Sequence, residues 1–309
     1  MKILEIILPV LVMLALGMLC KRWKLLTKSG VDNMKTLVTN LMLPAAIFHA
    51  LATADYTAKT GITVLIMFVM LLVSFCVGFF LRPLMNGTYR KYLPFMVCLY
   101  EGGLMAYPLY TSLCGQENLS KIAVLDIAGL LFGFSVYMGM LGMTEHGEKI
   151  SAKKLAMGAL KTPAFLASVF GIFAGMMNMI TALLNSPFGG TYTAIESILT
   201  TAITPIILLS VGYGMGLTID LIRPCAKTIL IRFCIQGVMA ACVLTAVHRF
   251  VGTDPLQDLA ILTYMSAPAT FSMQTFLKDE NGCAYVSTTN SLYCMISILV
   301  YMILAVRIA

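Results

Sequence analysis

The sequence predicts an all-α integral membrane protein with about ten transmembrane helices, by the usual span-length criterion, in a five-plus-five inverted repeat with two broken crossover helices. Three observations lead there. The 309-residue chain is 59% hydrophobic and only 11% charged, with a mean hydropathy of +0.90, against roughly 25% charged residues in a soluble domain. Its basic residues fall between apolar runs rather than on one patch, so the net charge of +7 reads as a topology signal and not as a nucleic-acid surface. Finally, each half carries two prolines deep in apolar sequence: Pro44 and Pro108 lie 64 residues apart and Pro205 and Pro268 lie 63 apart, with the halves offset by 161 and 160. Proline breaks the helical ladder, and lipid offers no water to repair it. Breaks at corresponding places in two halves point to a carrier's binding site.

The first apolar run, Ile3 to Cys20, ends at Lys21-Arg22-Trp23-Lys24. That is an interfacial stop without a small-residue cleavage pattern, so the run reads as an uncleaved first span rather than a signal peptide. Apolar windows follow near 35–53, 60–81, 93–115, 121–143, 163–181, 193–216, 227–248, 258–277 and 284–306. Only 144–162 is long enough for a central loop. The expected organisation is therefore a first five-span repeat over 1–143, a cytoplasmic loop over 144–162 and a second repeat over 163–309.

Charge then sets orientation. Loops after odd-numbered spans hold fifteen Lys and Arg, the opposite loops hold five, and Arg232 is left inside a span. Fifteen against five places the odd loops in the cytoplasm and both termini outside. Five spans per half is an odd number, so the second half inserts upside down relative to the first.

A few polar residues sit at membrane depth. Glu101, beside Gly102-Gly103 and seven residues before Pro108, is costly to keep charged there and must face water, a partner or a proton. It suits a proton- or cation-linked step; the alternative is a structural carboxylic acid bonded to another helix. Asp126 either shares a cavity with Glu101 or lies near the outer interface. Ser266, Thr270, Ser272 and Gln274 surround Pro268 and either satisfy freed backbone groups or orient a solute. A simple kink is the bland alternative there. Opposed half-helix N-termini at the two breaks would offer N–H groups and partial positive charge to an anion. Asn40 and Asn290 are candidates for interhelical hydrogen bonding first and solute contact second. Arg232 is expected about one turn inside its span, snorkelling to the cytoplasmic surface. Asn178 reads as interfacial, and His49 and His248 as lone histidines.

Enzyme motifs are missing: no G-x-S-x-G, no phosphate-binding Walker loop, no H-E-x-x-H, no dinucleotide fingerprint. The nine cysteines show no C-x-x-C spacing and read as packing residues, as the twenty-three methionines do.

Several segments together resemble the auxin efflux carrier family, which includes malate-permease-like bacterial members. They are N-L-M-L-P-A-A-I-F at 40–48, E-G-G-L-M-A-Y-P at 101–108 against that family's N-x-G-x-x-G-x-P crossover, S-A-P-A-T at 266–270, Lys161-Thr162-Pro163, and an Asp in the fifth span, here Asp126. The resemblance implies ten spans in an inverted repeat, a panel of spans 1, 2, 6 and 7 beside a transport panel of the others, and solute held where the crossover prolines meet. Two positions depart from the pattern: Glu101 stands where the family has Asn, and Ala106 where it has Gly. A carboxylate at the first repels an anion unless it is protonated or cation-paired.

The expectation is a secondary transporter working by alternating access, with a small organic carboxylate as the first choice of solute and a neutral or cationic solute as the alternative. Its expected substrate-binding set is Asn40, Glu101, Gly102, Gly103, Pro108, Ser266, Pro268, Thr270, Ser272 and Gln274, with Glu101 and Asp126 as coupling residues. No catalytic residue, resident metal or cofactor is expected beyond a coupling H+ or Na+. Expected partners are the solute, the lipid bilayer and a second copy of the chain as a candidate homodimer, without nucleic acid, in the cell's inner (cytoplasmic) membrane. A membrane receptor or sensor is the rival class, and the sequence shows no signalling domain for one. An intramembrane enzyme would rest on Glu101 and Asp126 alone.

Overall fold

The computed structural model describes residues 2–54, 56–85, 87–146, 152–214, 221–277 and 279–308. They are almost entirely helical. Among them the only extended pairing is an isolated antiparallel bridge between Tyr100 and Ala269. Among the described residues six helical stretches are long and apolar enough to cross a membrane: Lys28–Ala52, Ala58–Leu84, Gln116–Glu145, Gly189–Gly214, Ile222–Phe250 and Glu280–Arg307.

The first apolar run is helix α1 (Lys2–Arg22), which carries its basic stop in its last turn. The second window is composite. Helix α2 (Lys28–Leu37) begins where the Thr27 side chain accepts from Gly30 N at 3.1 Å. It widens into a π turn at Val38–Met42 and continues as α3 (Leu43–Ala52). Proline explains the widening. A proline ring collides with the carbonyl four residues earlier and has no N–H to give it. For Pro44 that residue is Asn40, inside the π turn, where Leu43 N reaches back to Val38 O.

Helix α4 (Ala58–Leu81) is continuous. The fourth window is not: α5 (Leu93–Cys98) stops, a second π turn spans Gly102–Ala106, and α6 (Tyr107–Cys114) follows with Pro108 in its first turn. Leu104, four residues before Pro108, again lies in the π turn. Helices α7 (Leu119–Phe132) and α8 (Met138–His146) are joined by a π turn at Gly133–Tyr137.

The expected central loop is partly helical. Its residues 147–151 lie outside the described chain, but 152–160 form α9 (Ala152–Leu160), because A-K-K-L-A-M-G-A-L lacks a breaker other than one tolerated glycine. The sixth window is also shorter than expected. Helix α10 (Pro163–Met176) ends before Asn178, whose φ of 52° turns the chain into α11 (Met179–Leu184). Helices α12 (Gly189–Thr201) and α13 (Ile203–Gly214) part at Ala202, just before Pro205. The end of that window, 215–216, lies outside the described residues. Helix α14 (Ile222–Phe250) is long and unbroken. The ninth window breaks after α15 (Pro255–Met265), runs irregularly over 266–272, and ends in the short α16 (Met273–Phe276) before α17 (Glu280–Ile308).

Packing relies on small residues, as expected where lipid supplies no hydrophobic drive between helices. Helix α1 lies against α13 at a reciprocal pair of glycines: a Cβ on Gly17 would strike Leu209 O, and one on Gly212 would strike Leu14 O. Helix α10 meets α3 in the same way, with Gly171 on Phe48 and Leu51. Helix α4 packs on α5, α7 and α14, and α14 on α15 and α17. Large apolar side chains such as Leu65, Phe80, Phe170, Ile198 and Leu230 point outward. Polar Arg232, Gln236, Thr289 and Asn290 are buried instead.

Candidate functional site

The two interrupted segments touch at their interruptions. Leu99 is extended (φ −109°, ψ 145°), Tyr100 bridges Ala269, and Glu101 N donates to Pro268 O at 2.9 Å. The first interruption thus falls at 99–101, not at Pro108. Proline in a first helical turn lacks an N–H the helix does not need there, so Pro108 begins α6 rather than breaking the segment.

Two opposite charges serve the crossing. Arg232 of α14 donates to Met96 O, to Leu99 O at 3.4 Å and to Ala267 O at 2.8 Å, carbonyls at the ends of α5 and α15. Its guanidinium lies over the rings of Tyr100 and Tyr293, 5.3 and 5.0 Å from their centroids. Gln236 is one turn further along. With its amide oriented to match donors with acceptors, its oxygen accepts from Arg232 Nη2 and Nε at 2.7 Å each. The expectation that Arg232 snorkels to the surface is therefore wrong. Helix α14 begins at Ile222, so Arg232 lies about 15 Å along it. Arg232 is 1% exposed, with its donors taken up by backbone carbonyls and by Gln236.

Glu101 serves the other side. Its Oε1 accepts from Leu104 N at 3.3 Å and its Oε2 from Phe271 N at 2.7 Å. The Thr270 side chain also hydrogen-bonds it. One carboxylate therefore satisfies a backbone donor on each interrupted segment, at the beginning of each second half. Asp126 lies beside them, its two oxygens accepting from Tyr107 and Tyr264 hydroxyls at 2.8 and 2.7 Å. Gly102 lets these groups approach, since a Cβ there would lie 2.7 Å from Asp126 Oδ1.

A cavity of about 530 Å³ opens beside this crossing. Leu104, Phe271 and Gln274 line one part, Ser287, Ser291 and Cys294 of α17 another, and Lys21, Lys28 and Lys35 with Asp32 a third. Such a volume lies within the usual range for small-molecule sites. A second, polar cavity of about 320 Å³ is lined by Lys59, Thr60, Thr63, Lys121, Asp254 and Gln257 among others. There Lys121 Nζ meets Asp254 Oδ2 at 2.5 Å. Burial alone would raise the Asp254 carboxyl, but the Lys121 contact outweighs it and holds that group below its ordinary value.

The sequence-predicted residues divide accordingly. Glu101, Gly102, Pro268 and Thr270 are at the crossing, and Gln274 faces the larger cavity. Ser266 is turned to its own helix, donating to Thr263 O at 2.9 Å, while its carbonyl accepts from Ser297 Oγ. Ser272 is exposed, and Gly103 packs on Leu43. Asn40 is exposed in the first π turn, and neither it nor Pro108 is among the residues lining the cavity. His49 and His248 are not lone: Nδ1 of the first meets Tyr192 Oη at 3.0 Å, and Nε2 of the second meets Asp258 Oδ1 at 2.8 Å. Sequence reasoning missed Arg232, Tyr107, Tyr264 and the cavity role of the three lysines. Among the described residues no three His, Cys, Asp or Glu side chains gather to hold a metal ion.

Irregular backbone at membrane depth survives only inside protein or beside a water-filled cavity, and this crossing lies within a bundle of apolar helices beside a cavity. That is the setting of a membrane transport protein, and the family model of that description matches residues 2–306. The chain belongs to this family, the auxin efflux carriers. No curated protein matches it.

Proposed function

We propose that the protein is a ten-span secondary carrier for a small organic carboxylate in the cytoplasmic membrane. It works by alternating access, with both termini outside and the two interrupted segments as the crossover helices of an inverted repeat. The observation that carries the solute class is the carboxylate already seated at the crossing: Leu104 N and Phe271 N grip the two oxygens of Glu101, and both residues line the cavity that Lys21, Lys28 and Lys35 flank. Donors that hold one carboxylate can hold another, and the lysines draw anions toward them.

The windows assigned to the ten spans support this reading. The four outside the continuous stretches are α1, the α10–α11 pair and the two interrupted segments. The lysines also sort by face, since Lys21, Lys28 and Lys35 share one cavity and Lys59 and Lys121 share the other. In this arrangement the larger cavity opens to the cytoplasm and the Lys121–Asp254 pair closes the outer side. Glu101 and Asp126 are the coupling residues, and a proton or sodium ion accompanies the solute. Gln274 and Thr270 orient it from the second crossover. A cationic solute is the second reading, favoured by the same Glu101 carboxylate.

Reconstitution decides between them. Flux of radiolabelled short-chain carboxylates into proteoliposomes is expected to exceed that of matched amines and to rise with an imposed proton or sodium gradient. Amine flux without carboxylate flux overturns the first reading.

A further inference from the structure

We infer that Glu101 is a tethered carboxylate that holds the solute's place, and that a solute carboxylate binds by displacing it from Leu104 N and Phe271 N. The inference rests on the carrier reading above and names how its site exchanges occupants. Three observations carry it. First, the carboxylate is split between the two segments, one oxygen on each, which is how a free bidentate anion would bridge them. Second, both donor residues line the cavity, so an anion in that space reaches the donors only by taking Glu101's place.

The third observation is independent of the backbone donors. Asn290 is 1% exposed, and neither its amide nitrogen nor its oxygen has a partner among the described residues. It stands on α17 at three- and four-residue spacing from Ser287 and Cys294, two of the three residues that α17 contributes to the cavity wall. Leaving a buried amide unpaired costs free energy. A ligand beside the crossing, or Glu101 itself once displaced, supplies the missing partner.

The chemistry is a competition in which no covalent bond changes. Two N–H groups serve one carboxylate at a time. When the solute takes them, Glu101 leaves with a proton or an accompanying cation, because two carboxylates side by side repel.

The test uses the full-length protein in detergent at fixed ionic strength, with acetate as the probe and acetamide as its uncharged counterpart. Glu101→Ala empties both donors and leaves room beside them. Glu101→Asp keeps the charge and, as a good N-cap, still reaches Leu104 N, but falls a methylene short of Phe271 N. Acetate is expected to bind Glu101→Ala about tenfold more tightly than the native protein, the worth of roughly one charge-assisted hydrogen bond. Glu101→Asp should fall between, and acetamide should not discriminate. Affinity is read from the dependence of Tm on ligand concentration. Equal acetate affinity in the three proteins, or tightest binding by the native one, overturns the inference. Should Glu101→Ala not fold, the order of Glu101→Asp and native protein decides it alone.

Acetate binding does not depend on which solute the carrier moves. Carboxylate flux without this ranking therefore defeats displacement and leaves the carrier reading standing. The ranking without carboxylate flux defeats the solute class and leaves the seat of Glu101 as described.

Discussion

Arg232 ties three carbonyls of two separate segments with one side chain, which only a planar fork of donors does. Arg232→Met strands those acceptors in the interior, and thermal unfolding in detergent is expected to show a loss of about 3 to 5 kcal/mol. Arg232→Lys should recover less than half of it, and a Tm for the Met variant within experimental error of the native value would refute the capping role. Asn290 calls for the opposite outcome. Because its amide is buried without a partner among the described residues, Asn290→Leu is expected to leave stability unchanged or raise it by about 1 kcal/mol while weakening solute binding in calorimetry. If Asn290 were interhelical glue, the same change would destabilise. The sequence makes Glu101 and Asp126 conspicuous, because acids are rare in apolar runs. The depth of Arg232 is not legible there, since the basic residues nearby, Arg223 and Lys227, blur where α14 begins. Tyr107 and Tyr264 look like any aromatic in a span until the fold brings both hydroxyls to Asp126.

At the scale of elements, the apolar windows are readable because length and composition alone define them, and each falls mostly on helix, with the fourth and ninth interrupted. The prolines of the first half are readable as weak points but not as breaks, whereas Pro268 lies inside an interruption. Pro44 and Pro108 each sit two residues into a helix that follows a π turn. The first true interruption instead comes where Tyr100 and Glu101 find backbone partners in Ala269 and Pro268. That pairing is set across 169 residues of sequence, and no local pattern encodes it. Helix contacts give a sharper test. A methyl group on Gly212 would meet the Leu14 carbonyl, which is backbone and cannot swing aside, so Gly212→Ala is expected to cost about 1 to 3 kcal/mol by forcing α1 off α13. Gly237, inside α14, has nothing within 4 Å of where its Cβ would be, and Gly237→Ala should instead gain up to about 1 kcal/mol from helix propensity. Thermal unfolding of the two variants side by side checks both signs; equal effects would mean that the close approach of α1 and α13 does not limit packing.

For the molecule as a whole, the proposed orientation puts Lys28 inside and Lys59 outside. On a background without native cysteines, an impermeant thiol reagent added to intact cells is expected to modify Lys59→Cys and spare Lys28→Cys, and the reverse pattern would invert the topology. The outer ion pair adds a pH dependence. The folded Asp254 carboxyl lies below its ordinary value, so its contribution is complete above the unfolded carboxylate range and is lost as pH falls through the folded value. Acidifying the outside to that point should therefore loosen Lys121 from Asp254 and speed external labelling of Thr63→Cys, whereas Asp254→Asn should label quickly at every pH. The Glu101 and Arg232 side chains also bear on how the proposed carrier meets the membrane potential. In the proposed alternating-access cycle Glu101 and Arg232 are bound to the same two crossing segments, with Asp126 hydrogen-bonded to both, so an ionised Glu101 offsets one positive charge as those segments move through the field. A potential of 100 mV acts on each uncompensated charge with about 2.3 kcal/mol. Glu101→Ala, which removes that offset, should accordingly return empty with a response to a potassium diffusion potential across the liposome that differs from the native protein's, and identical responses would show that Glu101 carries no charge through the field.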